Sequence, residues 1–258
     1  MESRTLQLVL QYDGTCFAGW QRQLAQRTVQ GVLEDALERL CGSHVAVLGA
    51  GRTDAGVHAT GQSAGVRVSP KWSAVSLRKA LNAVLPGDIW VADSHEMHAD
   101  FHARFSAVSR SYRYLIATGN DADSPFRRNR EVAWRRSVDH QLLNDGASLI
   151  LGENCFRGFA VRGTAPESDD HRCTISEAAW RERPGGLAFF ITANRFLHHM
   201  VRFLVGTMLD VAAGRRDVGD IETLLIAMDN QSVSPPAPAH GLYLETVEYP
   251  LVLYLADA

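Results

Sequence analysis

The chain has 258 residues, 46% of them hydrophobic and 21% charged, with 26 Lys+Arg against 29 Asp+Glu for a net charge of −3. These values describe a packed globular chain of one large or two smaller domains and exclude disordered and fibrous classes. No apolar run approaches the roughly 18 residues that span a bilayer, and Met1-Glu2-Ser3-Arg4-Thr5 is not the start expected of a secretory signal. Cys16, Cys41, Cys155 and Cys173 include no Cys-x-x-Cys pair, so reduced thiols in a cytoplasmic protein are expected, not a disulfide framework or zinc site.

Leu6, Leu8, Leu10 and Tyr12 alternate with more polar neighbours, the pattern of a half-buried strand, closed by Asp13-Gly14. Val29, Val32, Leu33, Ala36, Leu37 and Leu40 follow at helical spacing behind Thr28, a good N-cap. Short strands are predicted over 45–48 and 65–68 on either side of a glycine-rich loop, then a helix over 74–84 and a strand over 89–92. This β-α-β-β-α-β-like order suggests a ferredoxin-like unit.

In the second half the pattern predicts a strand over 111–117 and a helix over 138–151. An irregular stretch over 155–172 comes next, then a hairpin of 174–183 with 187–193. Leu197, Met200, Val201, Leu204, Val205, Met208 and Ala212 form one apolar stripe of the longest predicted helix, ended by Gly214. Arg195, His199 and Arg202 share another face of it at i, i+4 and i+7. A short helix over 221–228, a proline loop at Pro235, Pro236 and Pro238, and a strand over 241–249 complete the chain. Mixed elements without regular β-α alternation favour α+β with antiparallel sheet.

Charge is uneven. Residues 104–136 carry eight arginines against three acids, and residues 217–258 carry seven acids and no Lys or Arg. Only Lys71 and Lys79 are lysines. An arginine-rich stretch interleaved with Tyr112, Tyr114, Phe126 and Trp134 suits a nucleic-acid groove, and a solvated surface is the alternative. His95, His98 and His102 lack metal-ligand spacing, so no metal is expected there.

Three chemistries compete for residues 49–65. A dinucleotide-binding turn would need a third glycine where Asp54 stands, and then a helix. A nucleophile elbow built on Gly61-Gln62-Ser63-Ala64-Gly65 would need a helix after Ser63, where a strand and Pro70 follow instead. Asp54 could itself be the reactive group, kept ionised by a guanidinium such as Arg52. On these residues alone, an aspartate that caps a turn explains the loop as well.

The run Gly49-Ala50-Gly51-Arg52-Thr53-Asp54-Ala55-Gly56-Val57-His58-Ala59 resembles the signature of the tRNA pseudouridine synthase A family. The resemblance extends along the chain. It includes Asp13-Gly14-Thr15, Phe17-Ala18-Gly19-Trp20-Gln21-Arg22-Gln23, Thr28-Val29-Gln30 and Asn82-Ala83-Val84-Leu85-Pro86. It continues through Phe101-His102-Ala103-Arg104-Phe105-Ser106-Ala107, Arg110-Ser111-Tyr112-Arg113-Tyr114 and Asn194-Arg195-Phe196-Leu197-His198-His199-Met200-Val201-Arg202. Ala237-Pro238 and Gly241-Leu242-Tyr243-Leu244 close it.

The resemblance implies an α+β fold of two ferredoxin-like (RRM-like) halves sharing a central antiparallel sheet, here 1–104 with the aspartate loop and 105–258 completing the site. It implies isomerisation of uridine to pseudouridine at positions 38, 39 and 40 of the tRNA anticodon stem-loop. The enzyme would be a cytoplasmic homodimer that binds tRNA in basic clefts and uses neither metal nor organic cofactor. Asp54 would be the catalytic aspartate, Arg52 would displace the target base, Tyr112 would pack on the flipped uracil, and Arg202 would pair with the aspartate. Leu244 would line the uracil pocket, with Arg110, Arg113 and His58 among the substrate-binding residues. Such chemistry must first unstack a nucleotide, which costs a few kcal/mol. Two departures from the family pattern, Cys155-Phe156-Arg157-Gly158-Phe159 and Phe203, bear on RNA contacts and packing.

Overall fold

The computed structural model describes residues 3–164, 168–227 and 229–255. The chain forms two compact units, residues 1–109 with 244–258, and residues 110–243.

In the first unit, β1 (Arg4–Tyr12) lies antiparallel between β3 (His58–Val68) and β4 (Ile89–Met97), and the short β2 (Leu48–Gly49) pairs with β3. The sheet order is therefore β4-β1-β3-β2. Two helices join these strands. In α1 (Val29–Cys41), the Thr28 side chain accepts from the Gly31 N–H, and Gly42 ends the helix at φ +76°. In α2 (Ala74–Val84), Ser73 and Ser76 form a reciprocal capping box.

Leu8 sits opposite Ser94 on β4, and Ser94 Oγ donates to Ala74 O at 2.8 Å. The face carrying Leu6, Leu8 and Leu10, all fully buried, is thus the one α2 covers. The opposite face carries Gln7 and Met97. It is closed by Phe101, Ala103 and Tyr249, with the Phe101 and Tyr249 rings edge to face at 5.0 Å. Tyr249 arrives with the C-terminal segment, which also places β10 (Leu242–Glu248) beside β3.

In the second unit, β5 (Ser109–Ala117), β9 (Gly186–Ala193), β8 (Arg172–Arg183) and β7 (Gly152–Cys155) follow one another antiparallel. A two-residue β6 (Val132–Ala133) adds in parallel to the end of β5. Gly185, at φ +76°, makes the tight β8–β9 turn that Pro184-Gly185-Gly186 predicts. Three helices pack on this sheet or beside it: α3 (His140–Leu149), capped by Asp139, α4 (Met200–Ala212) and α5 (Asp220–Ile226). Trp180 knits the layers together. Its ring packs on Phe189 at 5.1 Å, its indole N–H reaches Met208 Sδ at 3.4 Å, and its backbone N–H donates to Asn144 Oδ1.

The protein is thus α+β with mostly antiparallel sheet. Among the described residues no helix is long and apolar enough to cross a membrane, and all four cysteines are free thiols.

Several predicted boundaries move. Strand β3 begins at His58, inside the stretch read as loop, because its glycines and small residues serve close packing. A Cβ at Gly61 would lie 1.9 Å from Glu245 O. The strand predicted over 45–48 is only Leu48–Gly49. Helix α4 starts at Met200, since His199 adopts φ +62°. Arg195 and His199 therefore precede the helix, and the three-residue face predicted for it reduces to Arg202. The short helix is Asp220–Ile226, and Met228, its predicted end, lies outside the described residues. The two departures from the family pattern fall in packing. Phe156 and Phe159 are fully buried, and Phe203 is nearly so.

A buried carboxylate fastens the turn after β5. Glu131, 8% exposed, binds both Arg127 and Arg183, and Arg127 also binds Asp121. Removing one partner of such a group leaves buried charge unpaired. Glu131→Ala is expected to destabilise the protein by about 3 kcal/mol, read as a fall in the urea midpoint.

Tyr12, buried at the end of β1, has its phenol pushed up to about 12 by burial, against hydrogen bonds from Thr53 and Gln62 that act the other way. The unfolded chain ionises near pH 10, so this contribution to stability is intact below about pH 10 and is lost as pH rises towards 12. In alkaline titration, the Tyr12 phenolate absorbance should appear only together with loss of far-UV dichroism. Tyr12→Phe should remove its share of that pH dependence.

Candidate active site

Residues 50–57 connect β2 to β3 and carry Arg52 and Asp54. The loop has no ladder of its own, and its backbone groups find partners elsewhere in the first unit. Ala50 N donates to Ser63 O at 2.8 Å, Gln62 Nε2 to Gly51 O at 2.9 Å and Trp20 N to Thr53 O at 3.0 Å. Gly56 N reaches Phe17 O at 3.4 Å. The turn Asp54-Ala55-Gly56-Val57 closes with Val57 N on Asp54 O at 3.1 Å, and Gly56 takes φ +79° at its third position, which a side chain would resist. Buried Thr53 meets the Tyr12 hydroxyl at 2.8 Å.

What this bracing leaves outward is specific. Arg52 is exposed, with no side-chain hydrogen bond or ion pair to a described residue, and Asp54 is half-buried. An aspartate two residues from an exposed guanidinium, on a backbone held at four points, can act as a positioned anionic catalyst toward a ligand that the arginine also touches.

His58, at the start of β3, is 2% exposed. Its Nδ1 accepts the Gly14 N–H at 3.0 Å, so that nitrogen carries no proton for Asp13, 3.3 Å away. The ring thus fastens the turn that follows β1 to the exit of the loop. Leu244, on β10, is fully buried.

The rival readings of the loop close here. Ser63 is 1% exposed in the middle of β3 and accepts from Gln7 Nε2 at 2.9 Å, so it is no presented nucleophile. A strand follows Gly51-Arg52-Thr53-Asp54, so no helix N-terminus is available for a pyrophosphate.

The remaining predicted residues lie in the second unit. Tyr112, on β5, is 9% exposed and meets Phe196 edge to face at 5.0 Å. Arg110 donates to Asn194 O at 2.8 Å, and the Arg113 guanidinium lies 5.3 Å from the Tyr243 ring. Arg202, in the first turn of α4, donates Nε–H to Ala237 O at 2.7 Å while its own carbonyl accepts from Ala237 N at 2.9 Å. The buried Tyr114 donates to Pro238 O at 2.9 Å. Burial raises its pKa strongly, opposed by the charge of Arg202. Together these bonds hold the proline loop onto α4 and β5.

The structure thus groups Arg52, Asp54, His58 and Leu244 in one unit and Tyr112, Arg110, Arg113 and Arg202 in the other. Sequence reasoning missed the supports: Tyr12, read only as a strand residue, Gln62, read only as part of a serine motif, and Tyr114. Their signal is a polar group at a buried strand position, which must find a partner.

The family described as tRNA pseudouridine synthase matches residues 8–106 and 147–250. A tRNA pseudouridine synthase A of Legionella pneumophila (strain Lens) is 40% identical over 248 residues, covering 94% of this chain and 92% of the relative. That of Chloroflexus aurantiacus (strain ATCC 29366 / DSM 635 / J-10-fl) is 41% identical, covering 96% and 89%. That of Xanthobacter autotrophicus (strain ATCC BAA-1158 / Py2) is 41% identical, covering 94% and 98%. The match includes the loop of Arg52 and Asp54 whole, and the chain belongs to the tRNA pseudouridine synthase family, isomerases that convert a uridine of tRNA into pseudouridine.

Proposed function

We propose that this chain isomerises uridine to pseudouridine at positions 38, 39 and 40 of the tRNA anticodon stem-loop, with Asp54 as the essential carboxylate. The observation that carries the reading is the braced loop, which fixes its backbone through Trp20, Gln62, Ser63 and Phe17 and carries an exposed Arg52 and a half-buried Asp54. The reaction breaks the bond from N1 of uracil to C1′ of the ribose and forms one from C5 to C1′. A proton leaves C5 and one is gained at N1. Atoms and electrons balance within the nucleotide, so the isomerisation calls for no redox or group-transfer cofactor.

Arg52 displaces the target base from its stack and holds the gap, a task suited to an exposed planar cation. Asp54, as carboxylate, attacks C1′, attacks C6 or takes the C2′ proton, and each route requires the ionised form. Tyr112 and Arg202 keep the roles that the motif match implies, an aromatic face for the displaced uracil and a cation for the carboxylate. Arg110 and Arg113 serve the RNA. Leu244 belongs to the uracil pocket, and His58 contributes through the loop it fastens. The β-α-β-β-α-β order and β4-β1-β3-β2 sheet of the first unit support the ferredoxin-like reading of the N-terminal half, 1–104. Residues 105–258 form the second half. The enzyme works in the cytoplasm as a homodimer.

The test incubates unmodified tRNA with wild type and with Asp54→Asn, then maps pseudouridine by carbodiimide labelling and primer extension. Wild type should modify the anticodon stem-loop uridines, while Asp54→Asn should bind the tRNA and leave every one unmodified. Pseudouridine formed by Asp54→Asn would remove the carboxylate from the chemistry. Modification confined to another arm of the tRNA would overturn the assignment of positions.

A further inference from the structure

The eight arginines of 104–136 do not form one surface. Arg127, 19% exposed, is consumed inside the protein. Its guanidinium binds Asp121 and Glu131 and donates to Gly185 O at 3.2 Å. Arg135 is taken by Asp123, and Arg110 is turned to the carbonyl of Asn194.

The turn that follows β5 is itself rigidly tied. Ala122 N donates to Gly119 O, Ser124 N to Asp121 O, Arg127 N and Arg128 N both to Ser124 O, and Arg130 N to Arg127 O. Tyr243 Oη donates to Arg130 O at 2.6 Å, and Trp134 N to Ala117 O at 2.8 Å. At its tip the turn holds Phe126, 87% exposed, and Arg128, exposed and with no side-chain hydrogen bond or ion pair to a described residue. The exposed acids nearby, Asp121 and Asp123, are already matched to Arg127 and Arg135. Arg128 is thus exposed positive charge at the tip beyond those two ion pairs.

We infer that this turn is an RNA contact of the enzyme, with Phe126 stacking on an unpaired base of the tRNA and Arg128 binding a phosphate oxygen of the same strand. An exposed ring beside an unused guanidinium is the pairing that single-stranded nucleic acid recognises, since every base offers a π-face and every nucleotide a charge. The bonds from Arg127 and Tyr243 tie the backbone that carries the ring before RNA arrives, so the ordering cost of binding falls on the side chains alone. The inference rests on the tRNA reading above, and it adds residues that the family resemblance does not assign.

The full-length protein and its Phe126→Ala, Phe126→Trp and Arg128→Ala variants, each checked for an unchanged thermal melt, would be titrated with an unmodified tRNA transcript over a series of salt concentrations. Phe126→Ala should weaken binding about ten-fold, and Phe126→Trp should restore it. Arg128→Ala should lower the slope of log affinity against log salt by about 0.7 to 0.9. Affinities within two-fold of wild type, together with an Arg128→Ala slope changed by less than about 0.3, would overturn the contact. If wild type binds tRNA yet forms no pseudouridine, the isomerase reading fails while the binding comparison still decides this one. If wild type does not bind tRNA, both fall.

Discussion

A loop that has no regular structure of its own can be held in place only by lending its backbone groups to its neighbours. Residues 50–57 meet that constraint through the segment 17–20. Trp20 donates its N–H to Thr53 O and accepts at its carbonyl from Gln30 N. Gly19 accepts from Val29 N, and Phe17 accepts from Gly56 N. The first N–H groups of α1, which an isolated helix leaves without partners, are thus satisfied by the same residues that fasten the aspartate loop. Helix, loop and strand become one unit. Gly19 sits where a Cβ would lie 2.8 Å from Thr53 O, so the approach that makes these bonds depends on a residue without a side chain.

That arrangement decides which side chains of the loop turn inward. Thr53 faces inward to Tyr12, and His58 turns its Nδ1 to Gly14. On either side of Thr53, Arg52 is exposed and Asp54 is half-buried. A catalyst that stabilises developing charge gains most when its groups need not reorganise during the reaction. Here the cost of ordering falls on folding, through a buried phenol and a buried imidazole. The proline loop repeats the device in the second unit, where Arg202 and Tyr114 bind the carbonyls of Ala237 and Pro238.

Legibility in the sequence followed the range of the interaction. Helix α1 is legible because Thr28 acts within one turn of itself, and the β8–β9 turn because proline and glycine act locally. Of strand β3 only the end, 65–68, is legible. Gly61, Ser63 and Ala64 have poor strand propensity, and their presence there is explained only by Glu245, nearly two hundred residues away, pressing on Gly61. The start of α4 was missed for the opposite reason: the apolar stripe runs through Leu197, while the left-handed backbone of His199 breaks the helix without a sequence mark. Asp54 was one reading of its loop among several until the wording of the whole motif singled it out. Its supports, Tyr12 and Gln62, lie on strands whose pairing has to be known first.

Arginine content was the feature most open to over-reading. A local excess of five positive charges suggests a nucleic-acid groove, yet the most central of those residues, Arg127, is there to join Asp121, Glu131 and the Gly185 carbonyl at once. A lysine's three donors all leave one nitrogen, whereas the guanidinium reaches the three acceptors from three separate nitrogens, Nε, Nη1 and Nη2. Arginine is therefore selected twice in this turn, once for building it and once for what it offers at the tip. Sequence composition sums the two uses. Only the partners of each guanidinium separate them, and the separation leaves a smaller basic surface whose aromatic residue, Phe126, has no role in the packing beneath it.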